Sequence, residues 1–140
     1  ASSSITRMLK KATFLNEQSI ESNNQTVRVV NFSLPLEAIV DDKEVRGYVD
    51  DFSGEYSITI DEFGTPLSTK LSFEGDGRAF VIFTLEVAQT ITSNYQVIGN
   101  RLVTIRKSFE RSQSSTWGES DSTGYKELTI QSNEELVALQ

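Results

Sequence analysis

Cysteine and histidine are both absent from these 140 residues. Without cysteine there is no disulfide framework, no thiolate zinc site and no cysteine nucleophile. Without histidine the Ser-His triad and histidine-bearing metal sites are excluded, as is the side chain that changes charge near neutral pH. No apolar run approaches the ~20 residues of a membrane helix, and no signal-peptide pattern follows Ala1. Basic residues are outnumbered: thirteen Lys and Arg stand against twenty Asp and Glu, a net charge of −7. Such a surface repels a polyanion, so nucleic acid is not an expected partner. Neither the phosphate-cradling G-x-x-x-x-G-K pattern nor the dinucleotide pattern G-x-G-x-x-G is present.

What remains is a one-domain length, residues 1–140, in which 37% of residues are hydrophobic and 9% aromatic. That mixture suits a sheet with one apolar and one wet face. Ser3 or Ser4 can cap a first helix, in which Ile5, Met8, Leu9, Ala12 and Leu15 recur at helical spacing. Arg7, Lys10 and Lys11 fall on its other faces. This local basic patch reads as a solvated helix face, with anionic lipid headgroups as the sharper alternative. The stretch ESNNQT at 21–26 reads as a polar loop containing the sequon Asn24-Gln25-Thr26, and Asn31-Phe32-Ser33 is a second.

Strand and turn signals dominate thereafter. Val27 to Leu34 is a β-rich run stopped by Pro35, Val45 to Val49 a short strand, and Asp51-Phe52-Ser53-Gly54 a turn. Tyr56, Ile58 and Ile60 alternate with Ser57 and Thr59, and Phe63-Gly64-Thr65-Pro66 turns the chain. Glu74-Gly75-Asp76-Gly77-Arg78 is expected to form a three-residue hairpin loop, setting Phe73 opposite Ala79 and Leu71 opposite Val81. Ile98-Gly99-Asn100-Arg101 suits a two-residue type II′ turn. The return strand carries Leu102 on one side and Val103 and Ile105 on the other, as if both faces were covered. Residues 112–124 read as a Ser-rich loop around the single Trp, and Tyr125 to Ile130 as a final strand. Ser132-Asn133-Glu134-Glu135 matches a capping box opening a terminal helix. The expected fold is mainly β, a β-rich α+β domain: an antiparallel barrel or strongly curved sheet of about eight strands with short N- and C-terminal helices.

Catalytic tools are few. Asp41-Asp42, Asp50-Asp51 and Asp61-Glu62 are adjacent acids, but neighbours on a strand point to opposite faces. No stretch fits a calcium loop. The chain is therefore expected to bind and not to catalyse, with no cofactor and no metal. An eight-stranded barrel is the size that either fills with side chains or holds one small ligand. Its inner row is expected to include Tyr56, Ile58, Ile60, Leu71, Phe73, Val81, Phe83, Leu85 and Val97, which would line a ligand chamber or simply pack on one another.

Two stretches resemble a known family. Leu67 to Phe83 is similar to the strand–Asn/Asp-Gly–strand unit of ToxS-type periplasmic proteins. Tyr95, Val97, Asn100 and Leu102 resemble their aromatic-x-aliphatic-x-x-Asn-x-Leu hairpin. The likeness spans residues 67–140, and its nearest branch is the VtrC-like one, whose members form a lipocalin-like barrel completed by a partner. The resemblance implies a periplasmic protein held at the inner membrane by an N-terminal segment. It would pair with the periplasmic domain of a membrane-bound transcription activator, protect it, and help bind a small amphipathic ligand such as a bile salt. Leu102, Val103 and Ile105 are the candidate partner-binding residues, by β-augmentation at an open seam. The rivals are a stand-alone carrier of a lipid-like ligand, an acidic immunity or inhibitor protein, and a small-barrel enzyme using carboxylates.

Overall fold

A computed structural model describes residues 2–78, 84–115 and 118–127. Helix α1 (Ser2–Leu9) is followed by strands β1 (Thr13–Ser22) and β2 (Gln25–Leu34), a single 3₁₀ turn (Leu36–Ala38), and the four-residue helix α2 (Lys43–Arg46). Five more strands follow among the described residues: β3 (Val49–Ile60), β4 (Pro66–Arg78), β5 (Thr84–Ile98), β6 (Arg101–Ser115) and β7 (Gly118–Glu127). All seven strands form one antiparallel sheet whose spatial order is the sequence order. The mainly β, antiparallel expectation holds. The described residues do not close into a barrel: among them β1 pairs only with β2 and β7 only with β6.

One row crosses the whole sheet. Phe14, Phe32, Tyr56, Leu71, Ile91, Phe109 and Gly124 lie opposite one another on successive strands. Phe14 meets Phe32 edge-on at 6.1 Å, and Gly124 lies beneath the Phe109 ring, leaving no room for a side chain there. Cross-strand aromatic and aliphatic pairs of this kind stabilise an antiparallel ladder by about 0.2–1 kcal/mol each. The core forms where this face meets α1. Ile5, Leu34, Tyr56 and Ile58 are buried, and Met8, Phe32, Leu71 and Leu102 pack around them half-buried.

Several local expectations give way to longer strands. The helix begins at Ser2, so Ser3 and Ser4 sit inside its first turn, and it stops at Leu9. Ala12 and Leu15 continue the helical spacing only by coincidence, because residues from Thr13 onward pair with β2. The polar 21–26 stretch is the tip of that hairpin: Asn23 and Asn24 both adopt positive φ (51° and 64°), the geometry of a type I′ turn. The expected strand Val45–Val49 starts as helix because the Asp42 carboxylate accepts from the Glu44 and Val45 amides. Residues 51–54 lie inside β3.

The Gly75-Asp76-Gly77 loop is also overturned. Those residues run straight along β4, with Glu74 opposite Ala88, Arg78 opposite Thr84, Phe73 opposite Gln89 and Leu71 opposite Ile91. Here the glycines serve close approach. A side chain at Gly77 would run into the carbonyl oxygen of Tyr48, the acceptor of the Arg78 amide at 2.9 Å. Much of the Ser-rich 112–124 stretch is likewise strand, since β6 reaches Ser115 and β7 begins at Gly118.

The turns at Gly64 and Gly99 form as expected. Asp61 accepts from the Phe63 and Thr65 amides, and Gly99 (φ 61°) joins Ile98 to its partner Arg101. The expected terminal helix from Ser132 and the Trp117 position lie outside the described residues. Gly77→Ala is expected to lower the unfolding free energy by about 1–3 kcal/mol through overpacking. The urea midpoint measures it; a wild-type midpoint would mean that the close approach of Tyr48 is not needed.

Candidate ligand and partner surfaces

The expected inner row does share one face of the sheet in β3 and β4, but its members have different surroundings. Tyr56 and Ile58 are buried, while Ile60, Leu71 and Phe73 are half-buried. Phe73 stacks on Phe52 at 6.2 Å, and the Phe52 ring in turn lies against Gly54 and Gly75. Val97 is 51% exposed. Val81 and Phe83 lie outside the described residues, as does the side chain of Leu85, which occupies β5 opposite Gly77 and Ser115. Around Tyr56 and Ile58 the side chains pack on each other and on Ile5 of α1.

Three hydroxyls gather in that packed zone. Thr69, buried on β4 opposite Ile58, shares a 2.6 Å hydrogen bond with the Tyr95 hydroxyl. Burial pushes the Tyr56 hydroxyl up to about 12 from an ordinary 10; the neighbouring Tyr95 adds to the rise and a hydrogen bond with Thr69 opposes it.

At the turn end of the sheet, α1 and the β3–β4 and β5–β6 turns border a shallow, open cleft of about 530 Å³. Ile5, Pro66, Val97 and Leu102 supply its apolar wall; Thr6, Asn100 and the exposed Arg101 supply polar groups. Its volume falls in the range of small-molecule sites, about 300–1,000 Å³. Val97 from the expected inner row and Leu102 from the expected partner strand therefore meet here. They are directly opposed across β5 and β6, joined by the Gly99-Asn100 turn.

The return strand is irregular at one of its apolar residues. Tyr95 pairs with Thr104 but Asn94 pairs with Arg106, so Ile105 is the extra residue of a β-bulge. Val103 pairs with Gln96, and Leu102, Val103 and Ile105 are all half-buried. β7 pairs with β6 from Arg106 opposite Glu127 to Ser115 opposite Gly118. Among the described residues β1 is paired on one side only, with β2, and is exposed from Thr13 to Glu21.

The outward face is polar, with a feature that adjacent-acid reasoning missed. Asp51, Asp76 and Glu86 lie directly opposite one another on β3, β4 and β5. Glu55, Glu74 and Glu110 border the same surface, where two shallow clefts of about 480 and 460 Å³ share Ser53, Glu74, Ala88 and Ser112. The signal was the period-2 spacing of Glu74 and Asp76, obscured once those residues were assigned to a turn. Of the adjacent acids, Asp42 caps α2, Asp61 holds a turn and Asp50 faces Arg78 at 3.6 Å. Among the described residues, no three acidic side chains gather closely enough to hold a metal ion. Nearer β1 the same face carries a hydrogen-bonded ladder: Ser57 donates to Asn31 at 2.5 Å, and Asn31 donates to Asn16 at 2.7 Å. The amide of the second sequon is thus already engaged.

No family model, curated protein or solved structure matches the chain.

Two outcomes follow from these surfaces. The Tyr56 hydroxyl ionises near 10 when unfolded and near 12 when folded. Its stabilising contribution is therefore complete below pH 10 and falls by about 2–3 kcal/mol as pH rises to 12. Urea melts across that window should show a shallower decline in Tyr56→Phe than in wild type; parallel declines would exclude Tyr56 as the cause. Separately, Asp76→Asn should raise stability by about 0.2–1 kcal/mol by relieving the opposed carboxylates. The gain should shrink in high salt, and a salt-independent change would point to some other origin.

Proposed function

We propose that this domain is a non-enzymatic periplasmic binding partner of the ToxS/VtrC-like kind. It engages the periplasmic domain of a membrane-bound transcription activator, stabilises it and helps hold a small amphipathic ligand such as a bile salt. The observation that carries this reading is the open sheet. Among the described residues its β1 border pairs only with β2 and is exposed from Thr13 to Glu21. Unpaired strand edges are sites of β-augmentation, so a strand from a partner would extend the sheet toward a closed barrel.

The cleft at the turn end supports the ligand half of the reading. Pro66, Val97 and Leu102 would take the apolar body, and the Arg101 guanidinium an acidic head. A ligand touching both chains stabilises the pair only by its differential affinity for the assembled state. A second reading, an acidic inhibitor of a basic protein, draws on the opposed Asp51, Asp76 and Glu86 carboxylates.

Thermal melts with deoxycholate, with and without the candidate activator domain, test the proposal. The expected result is co-purification of the two chains and a ligand-dependent rise in melting temperature that is larger for the pair. Val103→Asp should abolish co-purification or weaken folding, whereas wild-type stability and pairing in that variant would count against the partner surface. Ligand binding unaffected by any partner would instead indicate a stand-alone carrier.

A further inference from the structure

The junction between α1 and β1 departs from the charge of the rest of the chain. Residues 7–15, RMLKKATFL, hold three cations and no acid, whereas the remaining residues hold ten cations against twenty acids. Arg7, Lys10 and Lys11 are all exposed, and the Lys11 ammonium donates to the Glu37 carbonyl at 3.2 Å, which orients it without cancelling its charge.

Apolar side chains are exposed within the same nine residues: Leu9 at 37%, Phe14 at 58% and Leu15 at 49%. Leu15 is the unpaired residue of a β-bulge, since Phe14 pairs with Phe32 but Asn16 with Asn31. A bulge on an edge strand re-aims a side chain away from the ladder. Chain length alone keeps Leu9 within about 20 Å of Leu15. None of the three clefts described above includes Arg7, Leu9, Lys10, Lys11, Phe14 or Leu15.

From this combination we infer that the α1–β1 junction docks onto an anionic bilayer surface. Cations beside exposed aliphatic and aromatic side chains match an interface of charged headgroups over hydrocarbon. A groove-forming protein partner would need relief to key into; a lipid plane needs none. The docking is independent of the activator-partner reading, because it uses side chains of residues 7–15 and not the β1 backbone edge, the Arg101–Ile105 segment or the turn-end cleft.

Vesicle co-sedimentation of the 140-residue chain tests it, using roughly 3:7 phosphatidylglycerol–phosphatidylcholine against pure phosphatidylcholine, since each cation at an anionic surface is worth about fivefold in partition. The expected result is at least about tenfold preference for the anionic vesicles, lost in high salt. Arg7→Glu/Lys10→Glu should abolish that preference. Leu9→Ser/Leu15→Ser should weaken binding to the anionic vesicles severalfold, and both pairs should keep the wild-type circular dichroism. No partition, equal partition to both vesicles, or indifference to the charge reversal would overturn the inference. Binding to soluble heparin as tight as to vesicles and unchanged by Leu9→Ser/Leu15→Ser would overturn it too, assigning the patch to an acidic macromolecule.

Discussion

The packing of Ile5 against Leu34, Tyr56 and Ile58 is the contact on which the remaining architecture depends. These four residues are the buried hydrophobic core among the described residues, and they join a helix of eight residues to the second and third strands. So short a helix has little stability of its own. Its burial against the sheet supplies what propensity does not. In return it covers the part of the inner face where the cross-strand row is most apolar, from Phe32 through Tyr56 to Leu71.

Away from that contact the two faces diverge. The inner face fades from aromatic and aliphatic residues in β2–β4 to a mixture in β5 and β6, where Gln89, Arg111 and Lys107 flank Ile91 and Phe109. The outer face is hydrogen-bonded amide and hydroxyl near β1, then Ser, Thr and opposed carboxylates toward β6. A sheet with this gradient buries one end firmly and leaves the other wet. Partner and ligand surfaces thus fall at its borders and its turn end, not at its centre.

Local sequence carried the parts of this fold that depend on near neighbours. The alternation of Tyr56, Ile58 and Ile60, the stop at Pro35 and the Gly99-Asn100 turn were legible because periodicity, a missing amide and a positive φ are properties of single short segments. The Gly75-Asp76-Gly77 stretch misled for a physical reason. Glycine serves a tight turn and a close backbone approach equally well, and only the Tyr48 carbonyl decides between them. The Ser-rich 112–115 stretch looked like loop because a strand facing water on one side needs no apolar alternation when β5 supplies its ladder. For the candidate site, the opposition of Val97 and Leu102 was readable from the turn. Their meeting with Ile5 and Pro66 was not, because it depends on where α1 crosses the sheet end.

The strict meander order has a kinetic meaning. Each strand pairs with the one synthesised just before it, so most ladder contacts form between chain segments close in sequence. The docking of Ile5 onto β3 closes a longer loop, of about fifty residues, at a cost that grows slowly with length. A chain delivered N-terminus first can therefore add hairpin to hairpin as it emerges, and β7 has a finished template waiting in β6.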